Sequence, residues 1–163
     1  MRLTTKTRYG LRLILDLAIN ADDGPVPLRA MAVRQKISLK YLEKLVRTLK
    51  AAGIIKSHRG AHGGYELARE LNAISIGDVV RVFEKQSAIT ECAENTDYTC
   101  TFCKETGECL ARQVWREASR NMFAYLDGIT LDILMSRRRK IRAGKKYRLL
   151  SREKSSGPAT GRS

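Results

Sequence analysis

All four cysteines of the 163-residue chain fall within nineteen residues, ECAENTDYTCTFCKETGEC, at Cys92, Cys100, Cys103 and Cys109. Thiolate is the side chain that binds soft transition metals and iron–sulfur cores. The gaps of seven, two and five residues are irregular. A zinc ribbon would show two well-separated CxxC pairs, and here only Cys100 and Cys103 make one. A cluster needs three or four thiolates on a loop that wraps an inorganic core, which short uneven gaps also allow. Spacing alone leaves zinc and a cluster open. A buried structural role for the four thiols fits poorly, because the segment has few large apolar residues beyond Tyr98 and Phe102.

A second constellation is basic. The formal charge is +14, and it is unevenly placed. Residues 1–85 carry sixteen Lys and Arg against eight Asp and Glu, and residues 137–163 carry eleven against one. Between them, residues 86–110 hold five acids and a single base. Two positive regions flanking an acidic cysteine segment favour nucleic acid or an anionic membrane surface as a partner, and the motifs that follow favour nucleic acid. Lys40, Lys44, Arg47 and Lys50 recur at helical spacing in ISLKYLEKLVRTLKAAG, where Ser38 suits an N-cap and Gly53 a left-handed stop. The shorter pattern LRAMAVRQ precedes it after the breaker DDGPVP, with Pro27 in the first turn. Two short helices with a tight joint, the second basic outside, make a helix-turn-helix. In such a unit the start of the second helix reads base edges, which points to Ser38, Lys40, Tyr41, Glu43, Lys44 and Arg47. The lysines and arginine can reach phosphate or guanine, and Glu43 can accept from cytosine or repel a wrong base. The bland alternative for any one of them is an ordinary solvated charge.

After Gly53 the periodicity changes. IIKSHRG and GGYELAR have strand character, and AHGG between them predicts a tight turn of left-handed backbone. Arg59 and His62 then lie near a hairpin tip, where arginine can enter a narrow minor groove. His58 and His62 fit DNA or solvent better than metal. A helix-turn-helix followed by such a hairpin is a winged helix.

The remaining elements must carry these groups. An amphipathic helix over Thr4–Asn20 shows Tyr9, Leu11, Leu13, Ile14, Leu15, Leu17 and Ala18 on one broad stripe, interrupted by Arg8, Arg12 and Asp16. ISIGDVVRVFEKQ predicts a helix capped by Ser75, with Ile76, Val79, Val80 and Phe83 inward. LARQVWREASRNMFAYLD predicts a long helix that Gly128 interrupts, and Thr130 can cap a last one, LDILMSRRRK. The expected class is mostly α with a small β-hairpin wing. The expected division is a DNA-binding winged helix over 1–86, a cysteine-rich loop over 87–110, dimerisation helices over 111–140 and a basic tail over 141–163. The Gly, Ser, Lys and Arg content of the tail predicts disorder. No run of eighteen apolar residues exists, and the N-terminus lacks a cleavage site, so no membrane segment and a cytoplasmic location are expected. In that compartment clustered thiols bind metal rather than form disulfides. No Gly-rich phosphate loop or base–nucleophile pair is present, so no enzyme is expected.

The chain resembles the Rrf-type winged-helix transcription regulators, the IscR- and NsrR-like iron–sulfur regulators. The resemblance rests on MRLTTKTRYGLRLILDLA, GPVPLRAMAVRQKISLKYLEKLVRTLKAAGIIKSHRGAHGGYELA, IGDVV, the cysteine region, CLARQVWREAS and LDGITLDIL, roughly residues 1–135. It implies a homodimer paired through the long helix after the cysteines, reading a partly palindromic site on double-stranded DNA. It also implies a 2Fe–2S or 4Fe–4S cluster whose loss changes DNA affinity, and the expected role is repression. By the same resemblance, the family's three cysteines match Cys92, Cys103 and Cys109. Two departures stand out. Arg112 occupies the position of a histidine ligand in IscR-like members, and Arg8 that of an aspartate which some NsrR-like members supply from the partner chain. Arginine cannot ligate iron. Cys100, an additional thiol in a longer first gap, becomes the candidate fourth ligand, with Glu91, Glu94 and Asp97 as carboxylate alternatives. A spare thiol at Cys100, and a same-fold regulator holding structural zinc or no metal, remain the competing readings.

Overall fold

Helix α1 spans Thr5–Ile19 in the computed structural model, which describes residues 3–60, 63–84, 88–94 and 109–142. Thr4 caps it, its hydroxyl accepting from the Thr7 amide. Leu13, Ile14, Leu17 and Ala18 are buried, while Tyr9, Leu11 and Leu15 pack at the rim of the core. Asp16, which interrupts the apolar stripe, is only 5% exposed. The Arg34 guanidinium donates to both its carboxylate oxygens, at 3.0 and 2.6 Å, and the Gln35 amide donates a third bond at 3.0 Å. A buried carboxylate is tolerated because its acceptors are filled.

α2 (Leu28–Gln35) and α3 (Leu39–Ala51) form the helix-turn-helix. Both end the same way. The Ile37 amide reaches back to the Ala32 carbonyl and the Ile54 amide to that of Leu49, each at 3.1 Å, across a left-handed residue. Gly53 takes that conformation as expected (φ 66°), whereas in the joint it falls to Lys36 (φ 54°). A side chain there costs about 1 kcal/mol, which the satisfied carbonyls offset.

The wing pairs β1 (Ile55–His58) with β2 (Gly64–Leu67), antiparallel, in the register Ile55 to Leu67 and His58 to Gly64. Among the described residues of the turn, Gly60 is left-handed (φ 114°), one position before AHGG. Ala61 and His62 lie outside the described residues, and Gly63 serves a different purpose. A Cβ there would come within 2.5 Å of the His58 carbonyl oxygen. Val26 exchanges two backbone hydrogen bonds with Tyr65, so β2 is clasped on both sides.

α4 (Ile76–Phe83) starts with a full capping box: Ser75 accepts from the Asp78 amide and Asp78 from the Ser75 amide. Ile76, Val79 and Val80 are buried as expected, with Phe83 half-buried against α1. There it fills the space over Gly10, whose hypothetical Cβ would sit 2.0 Å from the ring. The short α5 (Glu91–Glu94), the long α6 (Leu110–Asp127) and α7 (Leu131–Arg142) complete the chain. The Ile76 amide donates to Ile129 and the Leu131 amide to Ile74, fastening the α6–α7 corner to the start of α4. Phe123 and Leu131 accordingly join the same core as Leu42, Leu45 and Leu49 of α3. The expected disorder of the tail from Ala143 falls outside the described residues.

Glu84, just past α4, accepts from the amide and hydroxyl of Thr4 (2.8 and 3.0 Å) and from the hydroxyl of Thr7, which is buried. Replacing Glu84 with Leu leaves the Thr4 amide without its acceptor and the Thr7 hydroxyl with only that of Thr4, at 3.1 Å. The expected cost is about 1–3 kcal/mol, read as a lower urea midpoint at unchanged slope.

Candidate nucleic-acid interface and metal centre

α3 buries Leu42, Leu45, Val46 and Leu49 and turns Lys40, Glu43, Lys44 and Arg47 outward, all exposed. Packing against α1 and α4 therefore fixes which edge of the helix faces solvent. Ser38 is exposed at the first turn, its hydroxyl accepting from the Tyr41 amide at 3.3 Å. Tyr41 is half-buried, its ring edge-on to Tyr9 at 5.8 Å, while Arg12 lies over the Tyr9 ring at 5.5 Å. These contacts tie the start of α3 to α1. At the other end the Lys50 ammonium donates to the Ser57 hydroxyl at 2.7 Å, bracing α3 against the wing. Arg29, exposed at the start of α2, extends the basic surface. A helix whose charged residues project beyond a capped first turn is shaped to enter a major groove.

Arg59 is exposed near the wing tip, and His62 lies outside the described residues. The wing also carries a carboxylate that charge counting along the chain did not single out. Glu66 accepts from Lys56 at 2.7 Å and from His58 at 2.9 Å. The Lys56 bond, then that of His58, holds the Glu66 carboxyl below its ordinary range. Only the strand register, which sets Lys56 opposite Glu66, reveals this pairing.

Cys92 and Cys109 are free thiols, both half-buried. Cys92 sits in α5, its sulfur 3.3 Å from the Thr90 hydroxyl, and Cys109 occupies the N-cap position of α6. The two stretches are drawn together. Arg112 donates to the Cys92 carbonyl at 2.6 Å, and the Ile89 amide donates to the Ser119 hydroxyl at 2.9 Å. Arg112 thus holds the backbone of one cysteine against the turn that begins with another. Cys100 and Cys103 lie outside the described residues, as does Asp97, and among the described residues no three His, Cys, Asp or Glu side chains gather to hold a metal. The donor chemistry fits a thiophilic centre, and the positive end of α6 at Cys109 complements a negatively charged one. Arg8 is exposed on α1.

α6 has two faces. Ser119 and Phe123 are buried against the rest of the chain. Leu110, Val114 and Tyr125, with Trp115 beside them, are exposed at 75%, 58%, 62% and 42%. Spaced four and eleven residues apart, the first three form an apolar stripe that the described residues leave uncovered. Beside the buried Phe123, the exposed Arg81 of α4 donates to both oxygens of the exposed Asp127, at 2.6 and 2.7 Å, and lies 4.5 Å over the Phe123 ring.

That ion pair gives acid a handle. The Arg81 hydrogen bond holds the Asp127 carboxyl low; burial pushes Glu84 up, but the Thr7 and Thr4 donors outweigh it and leave it low as well. Folded values below unfolded ones mean stabilisation that is complete above the ordinary carboxylate range of about pH 4. It is lost as pH falls further, through the depressed folded values. Melting temperatures measured from neutrality downward should drop more shallowly below pH ~4 in Asp127→Asn than in the unaltered chain.

No helix among the described residues is long and apolar enough to cross a membrane. A sequence family described as "Rrf2: Iron-dependent Transcriptional regulator" matches residues 3–137. The protein rrf2 of Nitratidesulfovibrio vulgaris is 46% identical over 135 residues, covering 83% of this chain and 87% of that protein. Among solved structures, IscR of T. potens superposes with a TM-score of 0.70 at 33% identity, over 87% of this chain and 91% of that one. CymR of B. subtilis, described as a global cysteine regulator, gives 0.70 at 36% identity, over 83% and 97%.

Proposed function

Because the chain belongs to the Rrf2 family and is a DNA-binding transcriptional regulator rather than an enzyme, we propose that it acts as a homodimeric repressor governed by an iron–sulfur cluster. One observation carries the reading: the helix with the uncovered apolar stripe begins at Cys109, where Arg112 holds the Cys92 backbone. A second copy pairing along Leu110, Val114 and Tyr125 would bury that stripe and set two reading helices on a two-fold axis over a partly palindromic site on double-stranded DNA.

Cys92, Cys103 and Cys109 would hold the cluster, with Cys100 as fourth thiolate in place of the ligands that Arg112 and Arg8 cannot supply. The group would contribute thiolate bonds sensitive to oxidation, nitric oxide and iron supply, whether built as 2Fe–2S or 4Fe–4S. The chain's own part is mechanical. α5 and the first turn of α6 are joined through Arg112, and the Ile89 amide joins the same segment to Ser119, one turn before Phe123. Order in the cysteine segment thereby favours one placement of α6 against α4. A preference of about 2–3 kcal/mol between two placements changes DNA affinity about 30- to 150-fold.

Oxygen-free isolation tests the reading. Iron and sulfide should accompany a brown dimer, and removing them should change operator affinity in a gel shift. Equal affinities with and without the cluster would refute sensing, and a colourless zinc protein would establish the structural-metal alternative.

A further inference from the structure

The contact between α4 and the C-terminal half of α6 is more closely specified than burial of Phe123 requires. Arg81 makes a bidentate pair with Asp127 and stacks on Phe123, which is 6% exposed. One turn earlier on α4, Gly77 leaves room for the pair itself, since a Cβ there would meet the Asp127 carboxylate at 1.8 Å and displace it from Arg81. Beyond Asp127, the paired backbone bonds Ile76 to Ile129 and Leu131 to Ile74 close the same corner. Three kinds of contact thus fix one angle between α4 and α6: a planar forked ion pair, a glycine notch and a two-bond backbone bridge. A lysine in place of Arg81 would keep the charge but lose the fork and the stacking plane.

α4 packs on α1, whose Tyr9 meets Tyr41 at the start of α3. The angle at Arg81 is therefore passed through packed helices to the reading helix. On the far side of α6 lies the stripe of Leu110, Val114 and Tyr125. In the dimer proposed above, on which this inference rests, the separation and rotation of the two α3 helices depend on that one angle. Adding a single base pair between half-sites moves them about 3.4 Å apart and turns them about 34°. We infer that Arg81 and Asp127 are positioning residues that set which half-site spacing this regulator accepts. A soft junction would let α6 swing and follow altered spacings; the forked pair on a glycine notch resists that swing.

A spacer series on the full-length protein tests the assignment. The duplex best bound by the unaltered chain in a random-sequence selection is remade with one base pair removed or added at its centre. The unaltered protein should discriminate against both by about tenfold or more. Arg81→Lys and Asp127→Asn should bind the best duplex more weakly and show ratios between spacers at least about threefold smaller. Ratios are unaffected by the fraction of protein that is folded, so a merely stabilising pair would lower all affinities together and leave them unchanged. Phe123→Leu, which removes the stacking plane but keeps the fork, should give an intermediate ratio and serves if either polar variant fails to fold. Dimeric variants with the unaltered protein's ratios would overturn this inference alone. A protein that sediments as a monomer and ignores spacing would overturn the dimer first, and this inference with it.

Discussion

Replacing Lys44 and Arg47 together with alanine is expected to weaken operator binding about a hundredfold or more at fixed salt while leaving the fold intact. Both side chains are exposed on α3, opposite the buried Leu42, Leu45 and Leu49. Surface truncation of this kind changes stability by about 0.5 kcal/mol at most. In a dimer the double substitution removes four positive charges, so the slope of log affinity against log salt should become shallower by about 4 if all four neutralise phosphate. A base contact behaves differently: its loss relaxes preference at one operator position without altering the slope. Glu43→Ala supplies the contrast, since a carboxylate cannot neutralise phosphate. It should leave the slope unchanged or slightly steeper and relax discrimination at one position. Gel shifts at several salt concentrations, with a melting curve as control, separate these outcomes. An unchanged affinity in the double variant would remove α3 from the interface.

The second large effect concerns the cysteines. Cys109→Ser and Cys92→Ser are each expected to lose most iron and sulfide under oxygen-free isolation, together with the dependence of operator affinity on the cluster. Neither residue belongs to the buried core, so melting of the winged helix should change little. Cys100→Ser is the informative variant. As fourth ligand its loss should leave a cluster that absorbs differently in the visible and decays faster in air; a spare thiol would leave iron content, spectrum and lifetime as they were. Arg112→Ala should release the Cys92 carbonyl without removing a ligand. Its cluster should assemble more slowly but keep the parent spectrum.

Much of this architecture could be read along the chain because it is locally encoded. Ser38, Ser75 and Gly53 act through bonds to residues at most five positions away, so their roles are visible in a short window. The stripe of α3 follows from helical periodicity, and burying one face leaves Lys40, Lys44 and Arg47 on the other. The wing turn is legible as a cluster of glycines, but only backbone geometry distinguishes Gly60 (left-handed) from Gly63 (sterically confined). Lys36 was unreadable for the opposite reason: lysine is a poor left-handed residue, held there by the carbonyls its helix end must satisfy.

By itself, the sequence determined the order of elements, their caps, the outward basic face of α3 and the gathering of four thiols into one acidic segment. Tertiary structure decided the partnerships: Asp16 with Arg34, Glu84 with Thr4 and Thr7 about eighty positions away, Arg81 with Asp127 forty-six positions away, and Arg112 with the Cys92 backbone. The physical reason is that periodicity and capping depend on neighbours along the chain, whereas a buried or forked ion pair depends on which helix faces fold together. A helical pattern states that a charge lies on a given side; only the packing of α1, α4 and α6 states what it meets there.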